Sequence, residues 1–278
     1  MYTEHFFVYY SGEHYADAKT MAELAEQCWQ SIGRELGLEP TRRVRLYLAG
    51  SQTELEALCG GPEDFRLAGR ARPGESSIVV HLKGSARDRQ AVLAHELVHV
   101  ALGQALEPHG VAPPQWLTEG LAEYIADLVT PGDQRRRGRG QLIPIRALDV
   151  AFPGGPQQSN LAYTQSRSFV EFVVAQTGDR GLRSLVRELG EAGNIEEAFS
   201  RAYGRSLADF EAAWMPQFAR GLGRALPIDT GMAIFMAMGL LFVVVCVIRI
   251  ARRRRRRLEE AMEDAVDELG IREYEDDG

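Results

Sequence analysis

The sequence is poor in cysteine and lacks an evident targeting leader. Its 278 residues contain only three cysteines, Cys28, Cys59 and Cys246, which are too few and too scattered for a disulfide scaffold or a thiolate metal site. A bridge between Cys28 and Cys59 stays open beside the alternative of two buried free thiols. Residues 1–5 have neither a basic start nor a long apolar core, so no signal peptide is predicted. We therefore expect either a trimmed start or targeting by the C-terminal segment.

The chain also lacks an excess of positive charge. Its formal net charge is −7, and 45% of its residues are hydrophobic, which is ordinary for a protein with a real core. The densest basic run, Arg252 to Arg257, follows an apolar stretch and is not interleaved with aromatic residues. This pattern argues against nucleic-acid binding.

One long apolar run lies near the C-terminus. Residues 232–251 are small and apolar apart from Arg249 and are just long enough for one transmembrane helix crossing a lipid bilayer. We expect a peptidase-like domain at 1–222, a linker at 223–231, the span at 232–251, and a basic then acidic cytoplasmic tail at 252–278. The arginines after the span predict a cytoplasmic C-terminus and a domain on the non-cytoplasmic side of the cell membrane. A cytoplasmic domain on a tail anchor is the alternative.

The most informative motif is His95-Glu96-Leu97-Val98-His99. Side chains four residues apart project from the same face of an α-helix, so His95 and His99 are placed to bind one metal ion with Glu96 beside them. A catalytic zinc ion normally has three protein ligands and a water. A third ligand should therefore follow, and two satisfied core histidines are the alternative.

Glu119 supplies the missing ligand, on a helix predicted after Pro113 and Pro114. With His95, His99 and Glu119 as ligands, one Zn²⁺ would keep an open position for water. Glu96 would then be the general base that takes the proton of this zinc-activated water. Glu123 is four residues beyond Glu119 and is predicted to accept the free N–H of a ligating histidine; a solvent-exposed helix carboxylate is the alternative.

The remaining pattern predicts an α+β fold, with a small mixed strand and helix N-terminal half that contains the H-E-x-x-H active-site helix, followed by a helical half. Strands are predicted at 5–10, 43–48 and 77–82. Helices are predicted at 14–36, after Ser51, at 88–106, from Pro113 to Leu128, and at 163–176, 182–189, 195–203 and 207–218. The strand at 77–82 is either an edge that binds extended peptide or purely structural. A loop from 130 to 160 carries Arg135 to Arg139 and is either solvated or selective for acidic substrates.

These motifs carry a family resemblance. The H-E-x-x-H pentapeptide, together with Trp116-Leu117-x-Glu119-Gly120-x-Ala122-Glu123-Tyr124, resembles the gluzincin metallopeptidases, the class of thermolysin and the zinc aminopeptidases, and most closely their peptidase MA-like relatives. The similarity covers roughly residues 5–218. It implies that His95, His99 and Glu119 are zinc ligands and that Glu96 is the general base. It also implies that Glu123 accepts a hydrogen bond from a ligating histidine.

The resemblance also implies a donor for the oxyanion of the tetrahedral intermediate. A tyrosine after the third ligand does this in the aminopeptidase-like members, which makes Tyr163 the candidate catalytic residue, with a buried core tyrosine as the alternative. His109 is a second candidate. The chain has no Gly-x-Met-Glu-Asn-like segment, so we expect an endopeptidase more than an exopeptidase.

The sequence therefore predicts a membrane-anchored zinc metallopeptidase that acts on peptide or protein substrates. The alternative is a membrane-tethered, non-catalytic zincin-like binding or scaffold module. An intact Glu96 favours the enzyme, because a binding module needs no base beside its metal.

The predicted topology is testable in intact cells. Protease added outside should digest residues 1–222 and spare the tail, because the positive-inside rule places the arginines in the cytoplasm. Immunodetection of the two ends before and after permeabilisation measures this. Full protection of the N-terminal domain in intact cells would contradict the outward-facing arrangement.

Overall fold

A computed structural model describes the chain at residues 1–39, 41–60, 68–131, 142–150, 152, 156–178 and 180–224. The first compact unit is Met1–Leu222. In the described ranges no helix is long and apolar enough to cross a membrane. The predicted span at 232–251, the tail and the loop arginines Arg135 to Arg139 lie outside these ranges, so those expectations stay predictions.

The N-terminal half is built on a four-stranded sheet. Its strands are β1 (Phe6–Tyr9), β2 (Val44–Ala49), β3 (Gly69–Arg72) and β4 (Ser77–His81), in the spatial order β1-β2-β4-β3. The first, second and fourth strands are parallel, and β3 runs antiparallel to β4. The three predicted strands are confirmed within a residue or two at their ends.

Strand β3 corrects two expectations. The segment Gly69-Arg70-Ala71-Arg72 has no apolar alternation and was not among the predicted strands; pairing with β4 makes it a strand. Because β3 covers that side of β4, the strand at 77–82 is interior, with all five residues of β4 buried. The hypothesis that 77–82 is a peptide-binding edge is therefore wrong, and the edge near the motif helix is β3.

Helices pack on both faces of the sheet. The first helices are α1 (Tyr15–Leu36), α2 (Gln52–Cys59) and α3 (Ala86–Leu106). Inward residues of β1, β2 and β4 join α1 and α3 in the main core, whereas α2 packs with Val79 on the opposite face. Cys28 belongs to the first cluster and Cys59 to the second. Both thiols are free, since the sheet lies between them.

The rest of the described chain is helical: α4 (Gln115–Val129), α5 (Pro156–Thr177), α6 (Gly181–Ala192), α7 (Ile195–Tyr203) and α8 (Leu207–Arg224). A mixed half followed by a helical remainder confirms the α+β prediction for the described residues. Helix α5 begins earlier than the predicted position 163, because Pro156 suits the first turn of a helix and the polar residues after it continue that turn. Tyr163 therefore lies inside a helix and not at its start.

A partly buried carboxylate on α1, Glu26, binds the residue just before β1. Glu26 accepts a hydrogen bond from the backbone N–H of His5 at 2.9 Å, and its other oxygen lies 2.6 Å from His5 Nδ1. Burial raises the pKa of the Glu26 carboxyl, but hydrogen bonds from Thr3 and His5 outweigh it and hold the pKa below its usual range. The carboxylate thus stabilises the fold when it is ionised.

We expect Glu26→Gln to lower the free energy of unfolding by about 1.5 kcal/mol at pH 7, the typical contribution of a hydrogen bond to a charged group. The folded pKa is below the unfolded value, so this contribution is complete above an unfolded pKa of about 4.3. It is lost as the pH falls through the folded pKa. Thermal unfolding of both proteins from pH 7 to pH 3 measures this, and a difference that does not shrink in acid would contradict it.

Candidate metal centre

The motif histidines lie in the middle of α3, a helix with a well-defined start. Ser85 caps it, and the Ser85 and Asp88 side chains accept hydrogen bonds from each other's backbone N–H groups. Apolar residues on most of its circumference pack into the core, so the helix is held on several sides. His95 and His99 consequently project side by side, with ring centroids 5.1 Å apart.

Helix α4 brings Glu119 to the same place. Pro114 offers no side-chain cap, and Asp149 instead accepts the backbone N–H of Trp116 at 2.9 Å. Gly120 then allows a close approach to α5, because a Cβ there would lie 2.7 Å from the Ser166 carbonyl oxygen. Glu119 thus provides the candidate ligand, and Gly120 beside it provides the space that α4 requires against α5.

Three ligand atoms converge between α3 and α4. His95 Nε2 lies 3.3 Å from His99 Nε2, and Glu119 Oε2 lies 3.4 Å and 3.6 Å from these two nitrogens. Two ligands bound tetrahedrally to zinc at about 2.0–2.1 Å are themselves about 3.4 Å apart. The spacing therefore fits a single zinc ion, and in the described part of the chain these three residues form the group that could hold one.

The chemistry of the cluster also fits a cation. The Glu119 side chain is only 12% exposed, and its Oε2 is buried without a hydrogen bond. Burial raises the pKa of this carboxyl, but the two imidazoles outweigh it and hold the pKa well below its usual range. A buried, ionised carboxylate is costly unless positive charge neutralises it, and a cation held between this carboxylate and the two imidazoles would do so.

Glu123 lies behind His95. Its Oε1 is 3.7 Å from His95 Nδ1, on the side of the ring away from Glu119. The carboxylate is thus on the side where it was predicted to orient the ring, at a distance slightly beyond a hydrogen bond. Its side chain is 13% exposed, which does not fit the alternative of a solvated helix carboxylate.

Glu96 lies beside the two histidines and contacts the sheet edge at β3. Burial raises the pKa of its carboxyl above the usual range, although both histidines and a hydrogen bond from the Ala71 backbone N–H oppose this. Gly69 lies against the same side chain, since a Cβ there would meet Glu96 Cγ at 3.0 Å. These β3 residues were missed from the sequence, where only an isolated glycine marked the close approach.

Tyr163 and His109 are not members of the candidate ligand group found in the described residues. The Tyr163 ring packs edge-on against Phe152, with centroids 5.1 Å apart, and it contacts the main core. His109 lies against α6, where a Cβ on Gly190 would be 3.3 Å from its ring. Tyr163 is only partly buried, and its oxyanion role stays a prediction.

Comparison with known proteins points the same way. A sequence model described as the Peptidase MA superfamily matches residues 24–219, a range that includes α3, α4 and the helical half. No curated protein matches the chain. The matched range contains all three residues of the metal-ligating group.

Metal content tests the ligand assignment. The purified chain should hold about one zinc ion, and His95→Ala or Glu119→Ala should lose most of it, because two remaining ligands hold zinc poorly. His109→Ala is the matched control and should keep the metal, since His109 lies outside the cluster. Elemental analysis after dialysis measures this. Unchanged zinc in His95→Ala would show that the site is assigned wrongly.

Proposed function

This chain belongs to the Peptidase MA superfamily, and we propose that it is a zinc-dependent, gluzincin-type endopeptidase. Family membership supports a metallopeptidase-like module. The observation that carries the finer proposal is the separation of His95, His99 and Glu119 ligand atoms by 3.3 to 3.6 Å beside a partly buried Glu96. That spacing fits zinc. Metal binding alone does not require the Glu96 carboxylate, whereas hydrolysis requires a base beside the metal.

The chain's residues divide the chemistry among them. His95, His99 and Glu119 would hold the metal, which when bound polarises a carbonyl and lowers the pKa of water to about 7. Glu96 takes a proton from the attacking water and returns it to the leaving amine. Its raised pKa suits both steps, because a carboxyl of higher pKa is a stronger base.

The edge strand is the proposed holder of the substrate backbone. His81 N–H donates to Ala68 O across the β3–β4 pair, so Gly69 and Ala71 point their backbone groups away from β4. An extended peptide pairing with this edge would lie beside Glu96. Binding along a strand accepts an internal segment of a protein, which fits endopeptidase activity.

We also propose that the chain is anchored in the cell membrane. The apolar run at 232–251 and the arginines after it support a single-pass anchor with the peptidase domain outside the cytoplasm. The tail-anchored cytoplasmic arrangement is the alternative.

Glu96→Gln tests the proposed reaction. The variant should keep its zinc, because Glu96 is not a ligand, and should cleave an unstructured protein about 100- to 10,000-fold more slowly, the usual contribution of a general base. Mass spectrometry of the products and zinc analysis measure both effects. Glu191→Gln, an exposed carboxylate on α6, is the matched control and should retain full activity.

A binding or scaffold module is the second reading. This hypothesis would be supported if the wild-type chain held zinc yet cleaved no member of a broad peptide library. Cleavage that persists in Glu96→Gln would instead remove Glu96 as the base.

A further inference from the structure

A cavity of about 490 Å³ opens directly beside His99. Its walls are the last turns of α3, the turn that follows β3, and the connection between α3 and α4. This volume is within the range of about 300–1,000 Å³ typical of ligand pockets. Because His99 forms part of the wall, the cavity is continuous with the candidate metal centre.

The cavity surface is largely apolar. Leu102, Leu106 and Val111 contribute hydrocarbon, and the two polar side chains of the wall other than His99 are already engaged. Glu107 pairs with Arg42, and the Thr118 hydroxyl donates to the Gln115 carbonyl oxygen at 3.0 Å. An acidic or an uncharged polar guest would lose water there without gaining a partner, whereas an apolar side chain would gain from burial.

The position of the cavity relative to β3 gives the direction of the peptide. Ala71 donates to Glu96, and Pro73, just after β3, lies against Gly103, where a Cβ would be 2.5 Å from Pro73 Cβ. Strand β3 thus runs along α3 from Glu96 toward the cavity. Pro73 forms part of the cavity wall. A peptide in the antiparallel sense, the slightly more stable pairing, has its N-terminal part at the cavity.

We propose that this cavity is a specificity pocket that selects substrates with a large apolar side chain on the N-terminal side of the scissile bond. The proposal rests on the proposed peptidase function. The substrates would be extended segments carrying leucine, methionine or phenylalanine at that position. Ala112 and Val111 would set the size of the pocket.

Two readouts test it on the full-length chain in detergent. The zinc-loaded Glu96→Gln protein should bind a fluorescent leucine-containing peptide at least about tenfold more tightly than the same peptide with aspartate at that position, as apolar pockets discriminate. The wild-type protein should show the same preference in kcat/KM across a peptide library, at the residue preceding the cleaved bond.

Variants of Ala112, an exposed residue of the cavity wall, make the test specific. Ala112→Trp should fill the cavity and reduce the leucine preference to about threefold or less. Ala112→Asp should shift it toward arginine and lysine, because a new carboxylate would face the guest. Ala208→Trp, an exposed position on α8, is the control and should keep the wild-type preference. Unchanged zinc content establishes that each variant is folded.

The outcomes separate the two proposals. Cleavage and binding without an apolar preference, with a preference on the other side of the bond, or with a preference that ignores both Ala112 variants would overturn the pocket and leave the peptidase function standing. Neither cleavage nor binding of any peptide by a zinc-loaded chain would overturn the function and the pocket with it.

Discussion

Burial of charge between α3 and α4 is the constraint on which the rest of this structure depends. Two imidazoles and the Glu119 carboxylate meet where all three side chains are less than one-fifth exposed. Removing an ion from water costs several kcal/mol even after relaxation. The apolar surface that α3 and α4 bury against the sheet and α5 must hold the ligands together against that cost, and a bound cation would offset it.

The same cluster places two glutamates in opposite electrostatic environments. Burial raises the pKa of both carboxyls, but in Glu119 the two imidazoles reverse the effect and favour the ionised form. In Glu96 burial prevails and the pKa stays raised. A carboxylate that stays ionised suits a metal ligand, and one that takes up a proton readily suits a base. Environment, and not residue type, separates the two roles.

Helix α3 also connects the metal centre to the surfaces proposed for the substrate. Its Glu96 contacts β3, its His99 faces the cavity, and its Gly103 packs on the turn after β3. Gly69 and Gly103 lie where a side chain would collide with the opposite element. The strand edge, the candidate metal ligands and the cavity thus lie at fixed distances from one another. A peptidase needs such fixed distances in order to hold one peptide bond beside its general base.

The local pattern of the chain was enough to predict that His95, His99 and Glu119 lie together, because two histidines four residues apart share a helix face in any fold and a zinc site calls for a further ligand. The α+β class and the three apolar strands followed from periodicity for the same local reason. Strand β3 could not be predicted, since its residues have no pattern of their own and are extended only through pairing with β4. The core setting of Tyr163, the separation of Cys28 from Cys59 and the cavity beside His99 likewise depend on contacts between distant segments. Only the tertiary structure decides these, because packing partners far apart in sequence leave no periodic signal within either segment.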